Sequence, residues 1–227
     1  MQKNYIFYDL ETNGLDYYTT GIMQITILDK NSEILLNQYV YPYDNRIDGT
    51  TIHGINKKTL TDNNAISTSE LCILIKKILR DNFDREDIYF VAYNNFGYDQ
   101  KILENNFKIS NIKVPFNWYF MDIYPVVKEL YTEIKPNYKL KTVFEKICDN
   151  DSIIQYHCSF ADTRCLYKIF KKVEHNIDIL NKYTRPLLQS TKIFDYSINA
   201  LIGHFKGNIF TYKGINIIED LYNIYKI

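Results

Sequence analysis

Asp9, Glu11, Asp99, His157 and Asp162 are the side chains of this 227-residue chain whose types, order and spacing could do chemistry. Four of them are carboxylates. Two divalent ions about 4 Å apart can hold the attacking and the leaving oxygen of an in-line phosphodiester displacement, and several carboxylates are needed to hold the ions. Crowded carboxylates repel one another when ionised, which favours magnesium or manganese as the neutralising partner and predicts little activity without metal. Hard oxygen ligands suit those ions better than zinc. His157 precedes Asp162 by five positions, so a loop residue can lean over a ligand that stands at the start of a helix. An imidazole titrates near neutrality, which suits a general base for the attacking water.

These residues need elements to position them. Asp9 and Glu11 stand in Tyr5-Ile-Phe-Tyr-Asp-Leu-Glu-Thr-Asn-Gly14, an apolar β-prone run that breaks at Asn-Gly. A strand has period two, so both carboxylates point to one face at its end. Residues 4–10, 22–29 and 34–41 read as strands separated by the turn-formers Asn13-Gly14 and Asp29-Lys-Asn-Ser32, which predicts an antiparallel meander. Leu71, Leu74, Ile75, Ile78 and Leu79 recur at helical spacing over 69–82, and Ile88-Tyr-Phe-Val-Ala-Tyr93 reads as a buried strand. Asn94 and Asn95 suit a turn and cap into a helix from Tyr98, which puts Asp99 in a first helical turn. Met121–Tyr131 and Leu140–Cys148 read as helices, and Ser159–Val173 as a core helix with Cys165, Leu166, Ile169, Phe170 and Val173 inward. A meander followed by alternating helices and strands predicts an α/β fold with a mixed sheet.

Composition narrows the class. Lys plus Arg and Asp plus Glu stand at 27 each, so no long-range field gathers a polyanion and any grip on nucleic acid is local. Cys72, Cys148, Cys158 and Cys165 form no C-x-x-C pair, which favours buried thiols over a zinc site or a disulfide framework. No apolar run reaches the length of a membrane span and the N-terminus lacks a charged-then-apolar leader, so a soluble intracellular protein is expected.

The motifs resemble one family, the DEDDh or DnaQ-like exonucleases, on a ribonuclease-H-like fold. Its first motif is similar to Tyr8-Asp9-Leu10-Glu11-Thr12-Asn13-Gly14, its second to Val91-Ala-Tyr-Asn-Asn-Phe-Gly-Tyr-Asp99, and its third to His157-Cys-Ser-Phe-Ala-Asp162. Ile52-His53-Gly54-Ile55 resembles the loop before the family's first long helix, and Met121-Asp122-Ile123 resembles its Asp after the second motif. Tyr93-Asn94-Asn95 and Tyr98-Asp99 look closest to the bacterial exonuclease I branch. The resemblance implies a mixed sheet, antiparallel meander plus parallel strands, flanked by helices. It also implies that Asp9 bridges two metals (Mg2+ or Mn2+), that Glu11 and Asp162 bind one, that Asp99 holds the other and that His157 is the base. Glu11, with the backbone near Thr12, would receive a terminal 3′-hydroxyl, making the chain a 3′–5′ exonuclease on single-stranded DNA or RNA ends that releases nucleoside 5′-monophosphates. The expected organisation is an exonuclease domain over 1–174 and a C-terminal extension over 175–227.

Each residue also has a bland reading. An Asp-x-Glu is common on solvated turns, Asp99 and Asp162 could be charges favoured at helix N-termini, and a lone histidine is usually structural. The conjunction, in order and setting, favours the nuclease site. Leu15, His53, Tyr93, Phe96 and Phe160 lie beside the motifs and could stack on terminal bases, with Thr12, Asn95 and Arg164 as further substrate contacts. Arg164, Lys168, Lys171 and Lys172 form a modest basic stripe, equally well a solvated helix face. Such a grip predicts distributive, salt-sensitive digestion. In the extension, 177–183 reads as helical, Arg185-Pro186 as a break, 193–205 as ambiguous, 208–212 as a strand before a Lys213-Gly214 turn, and 217–225 as a short helix. The extension could pack on the core, dimerise or bind a protein partner. A second function class stays open, a non-catalytic nucleic-acid-binding or polymerase-accessory scaffold on the same fold. It would have no need to keep like charges crowded.

Overall fold

Three strands run up and down from the N-terminus: β1 (Asn4–Thr12), β2 (Ile22–Leu28) and β3 (Ile34–Tyr41). The computed structural model describes residues 3–48, 50–84, 86–148 and 158–186, together with the backbone of 211–212 and 215–216. After the meander come α1 (Thr50–His53), α2 (Lys57–Asp62), β4 (Ile66–Ser67), α3 (Thr68–Phe83), β5 (Ile88–Ala92) and α4 (Asp99–Ile109). They are followed by β6 (Trp118–Asp122), α5 (Ile123–Leu130), α6 (Leu140–Ile147), α7 (Ser159–Val173), α8 (Ile177–Lys182) and β7 (Thr184–Pro186). A separate two-stranded pair joins β8 (Thr211–Tyr212) to β9 (Ile215–Asn216), and the turn expected at Lys213-Gly214 lies outside the described residues.

Seven strands form one sheet in the order β4-β3-β2-β1-β5-β6-β7. β1 pairs antiparallel with β2 and β2 with β3, while β5 lies parallel to β1, and β6 parallel to β5. The expected mixed α/β sheet is therefore the observed one. Because the chain turns one way from β1 into the meander and later returns to the other side of β1, the carboxyl ends of β1 and β5 flank a switch point, where such sheets leave a crevice.

The two faces of the sheet bury different helices. Alternate residues Tyr5 and Phe7 meet Phe170 of α7, with ring centroids at 4.9 and 5.0 Å, and Phe7 also meets Tyr167. The opposite set, Ile6, Tyr8, Phe90 and Trp118, is fully buried toward α4, where Phe107 meets Trp118 edge-on. The Thr26 hydroxyl of β2 shares a 2.8 Å hydrogen bond with Ser159, which fixes the start of α7 over the sheet.

Two readings are corrected. The helix expected from Met121 begins at Ile123, because Trp118–Asp122 is a strand paired along its length with β5. Its aromatic, mostly buried run carries no polar alternation to mark a strand, and Asp122 both ends β6 and caps α5 by accepting the Tyr124 N–H. The break at Arg185-Pro186 is β7, antiparallel to β6 at the sheet's edge, where a proline costs no ladder bond. Leu180 of α8 joins the main core, so 175–186 packs on the sheet. The readings over 193–205 and 217–225 lie outside the described residues.

Candidate active site

The site grows from the end of β1. The last β1–β5 pair is Phe7 with Val91, whereas β1 continues beside β2 to Thr12, so the β5 side of Asp9–Glu11 is open. Asp9 and Glu11 extend the Tyr5–Phe7 face toward α7, whose first turn carries Asp162. These three carboxylates each place an oxygen within 4.8 Å of the others. Asp99 comes from the first turn of α4 and lines the same pocket, a cleft of about 520 Å³ walled also by Thr12, Asn13, Gly14, Leu15, Asp48, Ile52, His53, Tyr93, Asn94 and Tyr98.

The turn into α4 is built by asparagines, though not as side-chain caps. Asn94 takes the left-handed conformation (φ 59°), which asparagine tolerates better than most residues, and its carbonyl accepts the Gly97 and Tyr98 N–H groups. Asn95 is fully buried. Its Nδ2 donates to the Phe90 and Met121 carbonyls at 3.2 and 2.9 Å, and its Oδ1 accepts the Tyr8 hydroxyl at 2.5 Å. The Asp122 carboxylate accepts the Phe96 N–H at 3.0 Å, tying the turn to β6.

Burial dominates the electrostatics. It raises the Asp9 carboxyl well above the ordinary range, reinforced by Asp99, Asp162 and Glu11. Burial, then Asp162, pushes Glu11 up to about 7. Asp99 is also raised by burial, with Asp122 and Glu11 adding, and is partly held down by main-chain N–H groups including that of Leu10. Among the described residues, no Lys or Arg lines this wall. Clustered hard oxygens with no resident cation fit a divalent ion, and the charge of such an ion would reverse these shifts.

Of the expected chemical residues, Asp9, Glu11, Asp99 and Asp162 come together; His157 lies outside the described residues. Thr12, Leu15, His53 and Tyr93 line the pocket, with Leu15 81% exposed at its rim. Asn95, Phe96, Phe160 and Arg164, expected as substrate contacts, do not line it. Asn95 is spent on the Tyr8 hydroxyl and two main-chain carbonyls, Phe96 lies under Arg185, and Arg164 packs against Phe160 on α7, 5.7 Å from its ring centre. The basic stripe is partly engaged, since Lys171 pairs with Glu174.

Sequence reasoning passed over Tyr98, Asn94, Asp48 and Ile52 as wall residues. Tyr98 was signalled only by standing next to Asp99. Ile52 stands in α1, inside the Ile52–Ile55 stretch that resembles a family loop, while Asp48 comes from a connection whose path no local pattern fixes. Asn13 holds that connection: its Nδ2 donates to Asp44 and the Arg46 carbonyl, and its Oδ1 accepts the Gly21 N–H at 2.7 Å.

A mixed sheet whose central strand carries paired carboxylates at a switch point, completed by acids from two helix starts, is the architecture of a ribonuclease-H-like nuclease. The chain belongs to the RNase T exonuclease family, whose profile matches residues 6–170. It is 26% identical over 175 residues to the chloroplastic/mitochondrial exonuclease DPD1 of Arabidopsis thaliana, covering 73% of this chain and 54% of that protein. It thus spans about half the length of that relative. Among solved structures, Escherichia coli exonuclease I bound to single-stranded DNA in its zinc form superposes with TM-score 0.66 at 16% identity, over 81% of this chain and 43% of that one. The same enzyme with a dA16 oligonucleotide gives 0.65 at 16% identity, over 80% and 43%. Among the described residues, no helix is long and apolar enough to cross a membrane.

Proposed function

We propose that this protein is a metal-dependent 3′–5′ exonuclease that removes nucleoside 5′-monophosphates from single-stranded nucleic acid. The observation that carries the reading is the convergence of Asp9, Glu11 and Asp162 within 4.8 Å, with Asp99 in the same cleft and, among the described residues, no Lys or Arg on its wall. That the solved relative binds single-stranded DNA supports the substrate class.

Asp9, Glu11 and Asp162 would hold one divalent ion, and Asp9 with Asp99 a second. Bound there, Mg2+ or Mn2+ supplies charge neutralisation and polarises the oxygens of the scissile phosphodiester. The remaining work belongs to the chain. His157 takes the proton of the attacking water, as a histidine five residues before Asp162 can. Glu11 and the Thr12 backbone receive the terminal 3′-hydroxyl, which sets the direction of digestion. Leu15, exposed at the rim, offers an apolar edge to the last base. Residues 1–174 form the exonuclease domain in this reading and 175–227 its extension. The choice between DNA and RNA rests on contact with a 2′-hydroxyl.

Digestion of 5′-labelled single-stranded DNA and its RNA twin, with magnesium, manganese or chelator, tests the proposal. A metal-dependent ladder shortening from the 3′ end, lost in Asp162→Ala, is the expected result. Binding of either strand without turnover would overturn it in favour of the scaffold class.

A further inference from the structure

We propose that Arg185, on edge strand β7 and beyond residue 170 where the family match ends, is a positioning residue for Asp99; the proposal rests on the metal-dependent reading above. Arg185 is not among the residues that line the cleft. It acts on the turn that delivers Asp99. Its guanidinium carbon stands 3.6 Å from the centre of the Phe96 ring, a face-on contact. Its Nη2 donates to Gln100 Oε1 at 3.4 Å. Phe96 is three residues before Asp99 and Gln100 one after it, so a single planar group grips the turn on both sides of the ligand.

The grip is anchored from behind. Arg185 pairs with Phe120 and Thr184 with Met121 across β6–β7, and the Tyr183 carbonyl accepts the Asp122 N–H at 3.0 Å. Asp122 in turn accepts the Phe96 N–H, closing a ring from β7 through the end of β6 to the turn. Lys182 and the Tyr183 hydroxyl both bond Glu129 of α5 at 2.7 Å, which fixes the approach to β7. Gln100 is itself held, donating to Glu104 at 2.7 Å.

Packing alone is a poor reason for this side chain. Burying part of a guanidinium costs solvation, its Nε has no hydrogen-bond partner among the described residues, and an aliphatic chain would cover Phe96 without that cost. What arginine adds is a flat face and a rigid donor fork, the features a two-point grip uses. Residues that orient a metal ligand without touching the metal typically change affinity by about 10–100-fold when removed.

The test is calorimetric titration of the full chain with Mn2+ alone, for the native protein, Arg185→Met, Arg185→Lys and, as reference, Asp99→Asn, with melting temperatures alongside. We expect Arg185→Met to keep its fold, weaken Mn2+ binding about tenfold and reproduce part of the Asp99→Asn loss, with Arg185→Lys between it and native. If Arg185→Met does not fold, the Lys variant, which keeps charge and stem, decides by the same shift. A native-like isotherm, with any effect confined to melting temperature, overturns the proposal. The readout is independent of turnover: a native chain that binds Mn2+ and cuts nothing would defeat the exonuclease reading and leave the Arg185 result legible.

Discussion

The Tyr98 hydroxyl lies 2.5 Å from the Thr12 hydroxyl and donates to the Gly14 carbonyl at 2.5 Å. Tyr98 precedes Asp99 and Thr12 follows Glu11, so one hydroxyl joins the two backbone segments that carry opposite sides of the carboxylate cluster. Tyr98→Phe removes the join and keeps the ring. A lost hydrogen bond of this kind is worth about 0.5–1.5 kcal/mol, so kcat/KM should fall about 2–10-fold, with a drop of only a few degrees in melting temperature. An unchanged kcat/KM would show that the β1 end holds its shape without it.

Asp9 should display opposite effects on activity and on metal-free stability. It is the most crowded of the acids, facing Asp99, Asp162 and Glu11. Asp9→Asn removes that repulsion while keeping the shape, so in chelator the variant should melt above the native chain. With Mg2+ the order should invert, because the native chain gains binding energy that the variant lacks. Digestion by the variant should fall by more than about a thousandfold, the scale of losing a group central to transition-state charge. Equal melting temperatures in chelator would mean that the acids are not electrostatically strained.

The pH dependence of the metal-free protein follows from Glu11. Its folded carboxyl is raised to about 7 from an ordinary 4.5, so between those values the folded state holds a proton that the unfolded state has released. This contribution is complete below about pH 4.5 and is lost as pH rises through about 7, at most on the order of 3 kcal/mol. Asp9 and Asp99 shift the same way. Asp44, Glu70 and Glu129 are held low by their hydrogen-bonding neighbours, so what they contribute is lost only toward acid, below the window considered, and does not oppose the trend. Urea midpoints in chelator should therefore fall from pH 5 to pH 8, and saturating Mg2+ should flatten or reverse the slope. A rising midpoint in chelator would refute this reading.

What could be read from residues alone depended on whether the signal was local. The meander was legible because Asn13-Gly14 and Asp29–Ser32 punctuate β-branched runs, and the acids because period-two spacing and helix starts are properties of short segments. β6 was not, since Trp118–Asp122 is an apolar, mostly buried run without polar alternation and passes into α5 without a breaker. β7 was hidden by Pro186, whose meaning depends on lying at an edge. Tyr98 and Asp48 reach the cleft through connections set by distant contacts, such as Asn13 with Asp44 and Arg46, which leave no trace in spacing.

Asn95 separates the two kinds of knowledge. Beside the second motif it reads as a substrate contact; in the fold it is fully buried and bonds Tyr8, Phe90 and Met121, which join β1, β5 and β6 under the turn to Asp99. A substrate contact and a structural pin predict different kinetics. Asn95→Ala would leave a buried hydroxyl and two buried carbonyls to find new partners, each orphan costing about 1–3 kcal/mol, so destabilisation on the order of 2–4 kcal/mol is expected after partial relaxation. Below its lowered melting temperature the variant should bind single strands with near-native affinity, while kcat falls because the turn carrying Asp99 has loosened. Stability by urea unfolding and KM against kcat on a labelled oligonucleotide decide the matter. A native-like unfolding midpoint with KM raised tenfold or more would return Asn95 to the substrate face.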